Sequence, residues 1–107
     1  MLALTTTTSG TTCTLALVGE LDHQTAPRLH EALAGLRLAR GGRLVLDLGG
    51  LTFCDSSGLG GFLVAHEVAS DAGAAITLAD PPRVVTRMLR FTGLDSVFGT
   101  GDTAATG

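Results

Sequence analysis

Leu44-Val-Leu-Asp-Leu-Gly-Gly-Leu-Thr-Phe-Cys-Asp-Ser-Ser-Gly-Leu-Gly-Gly-Phe-Leu63 is the stretch on which the fold turns. Its first five residues, Leu44–Leu48, are almost wholly apolar, which predicts a central strand covered at least in part on both faces. A loop follows. From Ser56 to Ser70 the apolar residues recur at helical spacing. A buried strand that passes through a loop into a helix, with Asp55-Ser56-Ser57-Gly58-Leu59 at the junction, is the beginning of an α/β unit.

Downstream, Ala74–Ala79 predicts a strand with Ile76 and Leu78 on one face. Asp80-Pro81-Pro82 opens a third helix, with Asp80 as N-cap and Val84, Val85, Met88 and Leu89 facing inward. Gly93 closes it, and Val97-Phe98 reads as a last short strand. Upstream, Leu2–Thr8 is a weak edge strand, Ser9-Gly10 a turn, and Thr14–Val18 a strand that ends at Gly19-Glu20-Leu21-Asp22. Thr25 is placed as N-cap of a first helix. Pro27 lies in its first turn, Leu29, Ala32, Leu33 and Leu36 form its apolar stripe, and Gly41-Gly42 is its stop. Arg37 and Arg40 fall near its C-terminal end, where the helix dipole favours cations. Strands alternating with helices imply mostly parallel pairing through right-handed crossovers. The expected class is α/β: a single-layer sheet of four to five mixed strands packed against helices, in one domain over residues 1–107.

Composition narrows the function. The chain is 45% hydrophobic, enough for a core, but has four Phe and no Trp or Tyr, so the core is built from Leu, Val and Ala. A stacking platform for bases or sugars needs exposed aromatic faces that this composition does not supply. Net charge is −3, and all seven basic residues are Arg, with none clustered tightly in sequence, which argues against nucleic acid as a partner. No apolar run approaches the ~20 residues of a membrane-spanning helix. The Thr-rich N-terminus lacks the positive region of a secretory signal, so a cytoplasmic protein without a membrane partner is expected. Cys13 and Cys54 read as two reduced, buried thiols. His23, His30 and His66 show no metal-ligand spacing, and nothing in the chain calls for a cofactor.

The serine pair Ser56-Ser57 admits two readings. One is structural: a serine at a helix start caps it by accepting a backbone N–H. The other begins from a helical wheel at ~100° per residue. Leu59, Phe62, Leu63, His66 and Ala69 fall on one side as the core face. Ser57, Gly60, Gly61, Val64 and Val68 fall on the opposite side, a small and apolar stripe where a solvated helix carries charge. Such a stripe either meets another protein or lies under a further layer of the same chain. The first alternative predicts Ser57, Gly61 and Val64 accessible, with Leu59, Phe62 and Leu63 buried.

Gly19-Glu20-Leu21-Asp22, Thr25-Ala26, the buried strand with Asp55-Ser56-Ser57-Gly58-Leu59-Gly60, then Pro82-x-Val84 and Gly93-Leu94 resemble the STAS domain. Within that family they resemble the bacterial anti-anti-sigma factors, or anti-sigma factor antagonists, over about residues 12–98. The resemblance implies a partner switch. The unphosphorylated antagonist binds an anti-sigma factor that is itself an ATP-dependent serine kinase, and so frees a sigma factor. Phosphorylation of the second serine of the motif, Ser57 here, releases it, and a PP2C-type phosphatase resets it. Asp22 matches an acidic position beside the phosphorylation site. The implied partner-binding residues are Asp22, Asp55, Ser56, Ser57, Gly58, Gly61, Val64 and Val68. Relatives usually continue through a further helix, whereas Gly99–Gly107 is mostly Gly, Thr and Ala, and Asp102-Thr-Ala-Ala begins at most a helical turn.

Two other classes fit less well. A nucleophilic serine needs a base and oxyanion donors. The sequence around Ser57 is not G-x-S-x-G, and His66 falls on the core face. No catalytic residue is assigned. A STAS subunit of a stress-signalling, lipid-transport or small-molecule-sensing assembly would share the fold but has no need of the intact serine motif.

Overall fold

A computed structural model describes residues 1–100. β1 (Leu2–Ser9) runs antiparallel to β2 (Thr12–Leu21), and Gly10, at φ +59°, makes the tight turn between them. The chain continues through α1 (Ala26–Ala34), β3 (Arg43–Cys54), α2 (Ser56–Ala72), β4 (Ala75–Ala79), α3 (Arg83–Thr92), a 3₁₀ turn at Leu94–Ser96 and β5 (Gly99–Thr100). β2, β3, β4 and β5 pair in parallel, and the sheet order is β1-β2-β3-β4-β5. The expected mixed sheet is present, with β3 inside it.

One core joins a single face of the sheet to the helices. Leu15 and Leu17 of β2, Leu44, Leu46 and Leu48 of β3 and Leu78 of β4 point into it, and meet Leu29 and Leu33 of α1, Phe62 of α2, and Val85 and Leu89 of α3. The strict alternation follows from the two-residue period of a strand. The outer face of β3 is covered only in part, as expected. Val45 and Asp47 are only half-buried, and the register sets Val45 between Thr14 and Thr77 on the outer face.

Several boundaries differ from the sequence reading, each for a local reason. α1 ends at Ala34, where the Gly35 N–H donates to the carbonyls of Glu31 and Ala32, so Leu36 and Leu38 reach the core from a non-helical linker. Thr25 holds the N-cap position without capping, because its hydroxyl is engaged elsewhere. β3 extends six residues past Leu48, since the expected loop Gly49–Cys54 stays paired with β2 through register shifts at Val18 and Glu20. Asp80 is not the cap of α3. It sits at φ +50°, a conformation Asp tolerates, and Pro82 takes the N-cap position with no side chain to offer. Val97-Phe98 precedes the last strand rather than forming it. Phe98 is buried and meets the ring of His66 edge-to-face, with centroids 5.9 Å apart. The tail reading around Asp102 lies outside the described residues.

Candidate functional site

Leu21 and Cys54 are paired at the ends of two parallel strands, and the Asp55 N–H donates to the Leu21 carbonyl at 3.2 Å. Asp22 and Asp55 therefore leave the sheet from neighbouring strand ends. The start of α2 sits directly over this point, for a Cβ built on Gly58 would stand 3.0 Å from Leu21 Cδ2 and overlap Cys54 Sγ. Only glycine lets the helix begin this close to the strands. The same packing buries the Cys54 thiol. Burial and then the neighbouring Asp55 carboxylate push its pKa up to about 11, which leaves it a poor nucleophile.

Asp55, and neither serine, caps α2. Its backbone is extended, and its Oδ1 accepts the Ser57 N–H at 2.9 Å. The expectation that a serine caps the helix is thus corrected. Among the described residues no hydrogen bond engages the hydroxyl of Ser56 or Ser57. Ser57 lies in the first turn, half-buried, and Ser56 beside it is exposed. A helix N-terminus offers free N–H groups and the positive end of a dipole, so it tolerates an anion attached there.

Asp22 is held by its own turn. Its Oδ1 accepts the backbone N–H groups of Gln24 and Thr25, both at 3.0 Å. The Thr25 hydroxyl accepts the Asp22 N–H and donates to the Glu20 carbonyl, each at 2.9 Å. The Thr25 N–H above all holds the Asp22 carboxyl below the usual carboxylate range, against an opposing desolvation. The mouth of the site thus carries a fixed negative charge.

The predicted stripe on α2 is rotated from its expected place. Asp22, Asp55, Ser56 and Ser57 converge at the strand ends, but Gly58 and Gly61 are buried and present no surface. A Cβ on Gly61 would stand 2.6 Å from Leu29 Cδ2 of α1. The glycine is there for close helix–helix approach, which a wheel drawn on one helix does not reveal. Val64 and Val68 are half-buried against the core, and α1 covers the stripe at Gly61. Leu63, expected in the core, is 40% exposed, and Leu59 is only partly covered. Of the three residues expected to be buried, Phe62 alone is.

Ser56 and Leu59 at the start of α2 look across to α3. Between them runs a groove of about 690 Å³ lined by Ser56, Leu59, Arg87, Met88, Arg90 and Phe91. The sequence reading missed it, and also missed that Arg83, Arg87 and Arg90 recur at i, i+4 and i+7 along α3 as the basic stripe it did not expect. That spacing was available in the sequence; the placement of α3 against the start of α2 was not. His23 is exposed in the loop after β2, and among the described residues no cluster of His, Cys, Asp and Glu suits a metal ion. No described helix is long and apolar enough to cross a membrane.

Known proteins are similar to this chain in sequence and fold. A family model described as "Mlab, STAS domain" matches residues 4–99. The Anti-sigma-B factor antagonist of Listeria monocytogenes is 31% identical over 81 residues, 76% of this chain and 71% of its own length. The crystal structure of an anti-sigma factor antagonist from Mycobacterium paratuberculosis superposes with a TM-score of 0.77 at 25% identity, over 99% of this chain and 92% of the other. The Bacillus cell fate determinant SpoIIAA in its phosphorylated form gives a TM-score of 0.63 at 24% identity, over 97% of each chain.

Proposed function

The chain belongs to the STAS domain family, among the anti-sigma factor antagonists, and from that premise we propose that it is a phosphorylation-controlled partner switch acting in the cytoplasm. Unmodified, it binds an anti-sigma factor that is also a serine kinase, and a sigma factor is freed. The kinase then transfers the γ-phosphoryl group of ATP to the Ser57 hydroxyl, leaving ADP and a phosphoserine, and the complex separates. A PP2C-type phosphatase hydrolyses the phosphoserine and restores binding.

The observation that carries this reading is the division of labour at the start of α2. Asp55 takes the capping role that otherwise explains a serine there, and leaves Ser57 in the first turn with an unengaged hydroxyl. A phosphate adds a charge of about −1.5 to −2. The N-terminus of α2 accommodates that charge, so the fold survives. An interface formed over Asp22, Asp55 and Ser57 does not, because the added charge must be desolvated beside two carboxylates.

Incubation with candidate anti-sigma kinases and ATP, followed by mass spectrometry of the Ser57 peptide, tests the reading directly. Ser57→Ala should bind the kinase and resist release by ATP. Ser57→Asp should keep its circular dichroism and bind about a hundredfold more weakly, which corresponds to roughly 3 kcal/mol. Ser56→Ala should behave as the unmodified chain. Phosphate on Ser56, or unchanged binding by Ser57→Asp, would show that Ser57 is not the switch.

A further inference from the structure

We propose that the α2–α3 groove is a docking site for an acidic segment with large apolar side chains, carried by the anti-sigma partner; only the identity of that carrier rests on the switch reading above. The proposal starts from α3. In ten residues, Arg83–Thr92, it holds three arginines and no acidic residue, and all three arginines are exposed. Among the described residues none of them forms an ion pair.

Helix stability does not account for this pattern. Arg83 opens the helix, where the dipole disfavours a cation. Arg83 and Arg87 are like charges four residues apart, which is unfavourable within a helix. Only Arg90, in the last turn, is where the dipole favours it. The apolar content is equally unaccounted for: Phe91 is 95% exposed although the core lies two residues away at Leu89.

The geometry gives these features a common use. Arg87 and Arg90 line two grooves at once. One is the apolar groove shared with Leu59, Met88 and Phe91; the other is a polar groove of about 500 Å³ shared with Pro81, Arg83 and Thr86. The two arginines form the ridge between them. An occupant that fits both places apolar side chains on one side of the ridge and carboxylates on the other. That is one face of an amphipathic acidic peptide. A bilayer is a poorer match, because it makes no use of the polar groove on the far side of the arginine ridge.

Ser56 lines the same groove, next to Ser57. An acidic occupant is therefore repelled by a phosphate on Ser57, so this surface and the switch are coupled by simple electrostatics.

The test uses the full chain, ¹⁵N-labelled, and a short synthetic peptide of glutamate and leucine at helical spacing, with a lysine-for-glutamate peptide as control. Amide shifts should cluster on Leu59, Met88 and Phe91, binding should weaken with salt, and the lysine peptide should not bind. Arg87→Glu with Arg90→Glu should weaken binding at least about tenfold. Phe91→Ser, at a fully exposed position that leaves the core intact, should do the same, while Arg37→Glu with Arg40→Glu should have no effect. Equal binding of both peptides, shifts elsewhere, dimerisation through Phe91, or binding to phosphatidylserine-containing vesicles in place of the peptide would overturn the proposal. The assay holds no kinase and no ATP, so its failure is distinct from failure of Ser57 as the switch.

Discussion

The two flanks of α2 are made from the same few residue types and behave in opposite ways. Toward the sheet and α1, Gly58, Gly61, Phe62, Ala65 and Ala69 are buried and leave no room. On the outer side, Ser56, Gly60 and Leu63 are exposed, and a Cβ on Gly60 would touch nothing within 4 Å. Gly60 and Gly61 are adjacent, yet one is a packing requirement and the other is not. A small residue on a helix therefore does not by itself mark a docking surface. What marks it is the combination of open space and large apolar groups that stay outside the core, as Leu63 and Phe91 do here.

The largest way to break this contrast is to remove one aromatic ring from each side. Phe62 is fully buried, and Phe62→Ala should destabilise the chain by about 3–5 kcal/mol through lost burial and the cavity left behind. Phe91→Ala should change stability by no more than roughly 0.5 kcal/mol. Urea denaturation of both variants decides the matter. A large loss from Phe91→Ala would mean that its ring is covered in the folded chain, and the open flank would not exist.

The second way compares the neighbouring glycines. Alanine in a helix interior is favoured over glycine by about 0.5–1 kcal/mol. Gly60→Ala should show that gain undiminished. Gly61→Ala forces Leu29, itself fully buried, to move, and overpacking of this kind costs about 1–3 kcal/mol. The two denaturation midpoints should shift in opposite directions. Equal stabilisation of both variants would show that α1 yields easily, and that Gly61 is not a packing requirement.

The comparison also explains what the sequence disclosed. Element type and order were legible because they rest on local periodicity: the alternation of Leu15 and Leu17, the run Leu44–Leu48, and the helical spacing of Val85, Met88 and Leu89. The junction Asp55-Ser56-Ser57-Gly58 was legible as a helix start for the same reason. The side of α2 that faces outward was not. A wheel divides a helix into sides, but when glycine, valine and leucine lie on both, only the neighbouring helices decide which side is covered. Gly61 reads as open surface until Leu29 is placed over it, and Arg83, Arg87 and Arg90 read as scattered charges until α3 is placed beside Ser56. Capping was misread for a related reason. Asp55, Ser56 and Ser57 are all good N-cap residues, and the pairing of Asp55 with Leu21 selects among them.

The smallest expected effect concerns the carboxylate in the turn between β2 and α1. The Asp22 pKa is lowered in the folded chain, chiefly by the Thr25 N–H, from an ordinary value of 3.8. The unfolded chain therefore takes up the proton more readily than the folded one. Stability from this group is present above about pH 4 and is lost as the pH falls through the folded value. Asp22→Asn keeps an oxygen that can accept the same N–H groups but has no proton to gain. The wild-type midpoint should fall more steeply below about pH 4 than that of Asp22→Asn, and the two curves should run parallel above it. Coincident curves at every pH would mean that the turn does not hold the charge. The result bears on the switch as well as on the turn. A carboxylate kept ionised and oriented by its own backbone costs little to present to a partner, and it stays at full charge beside Ser57 when a phosphate arrives there.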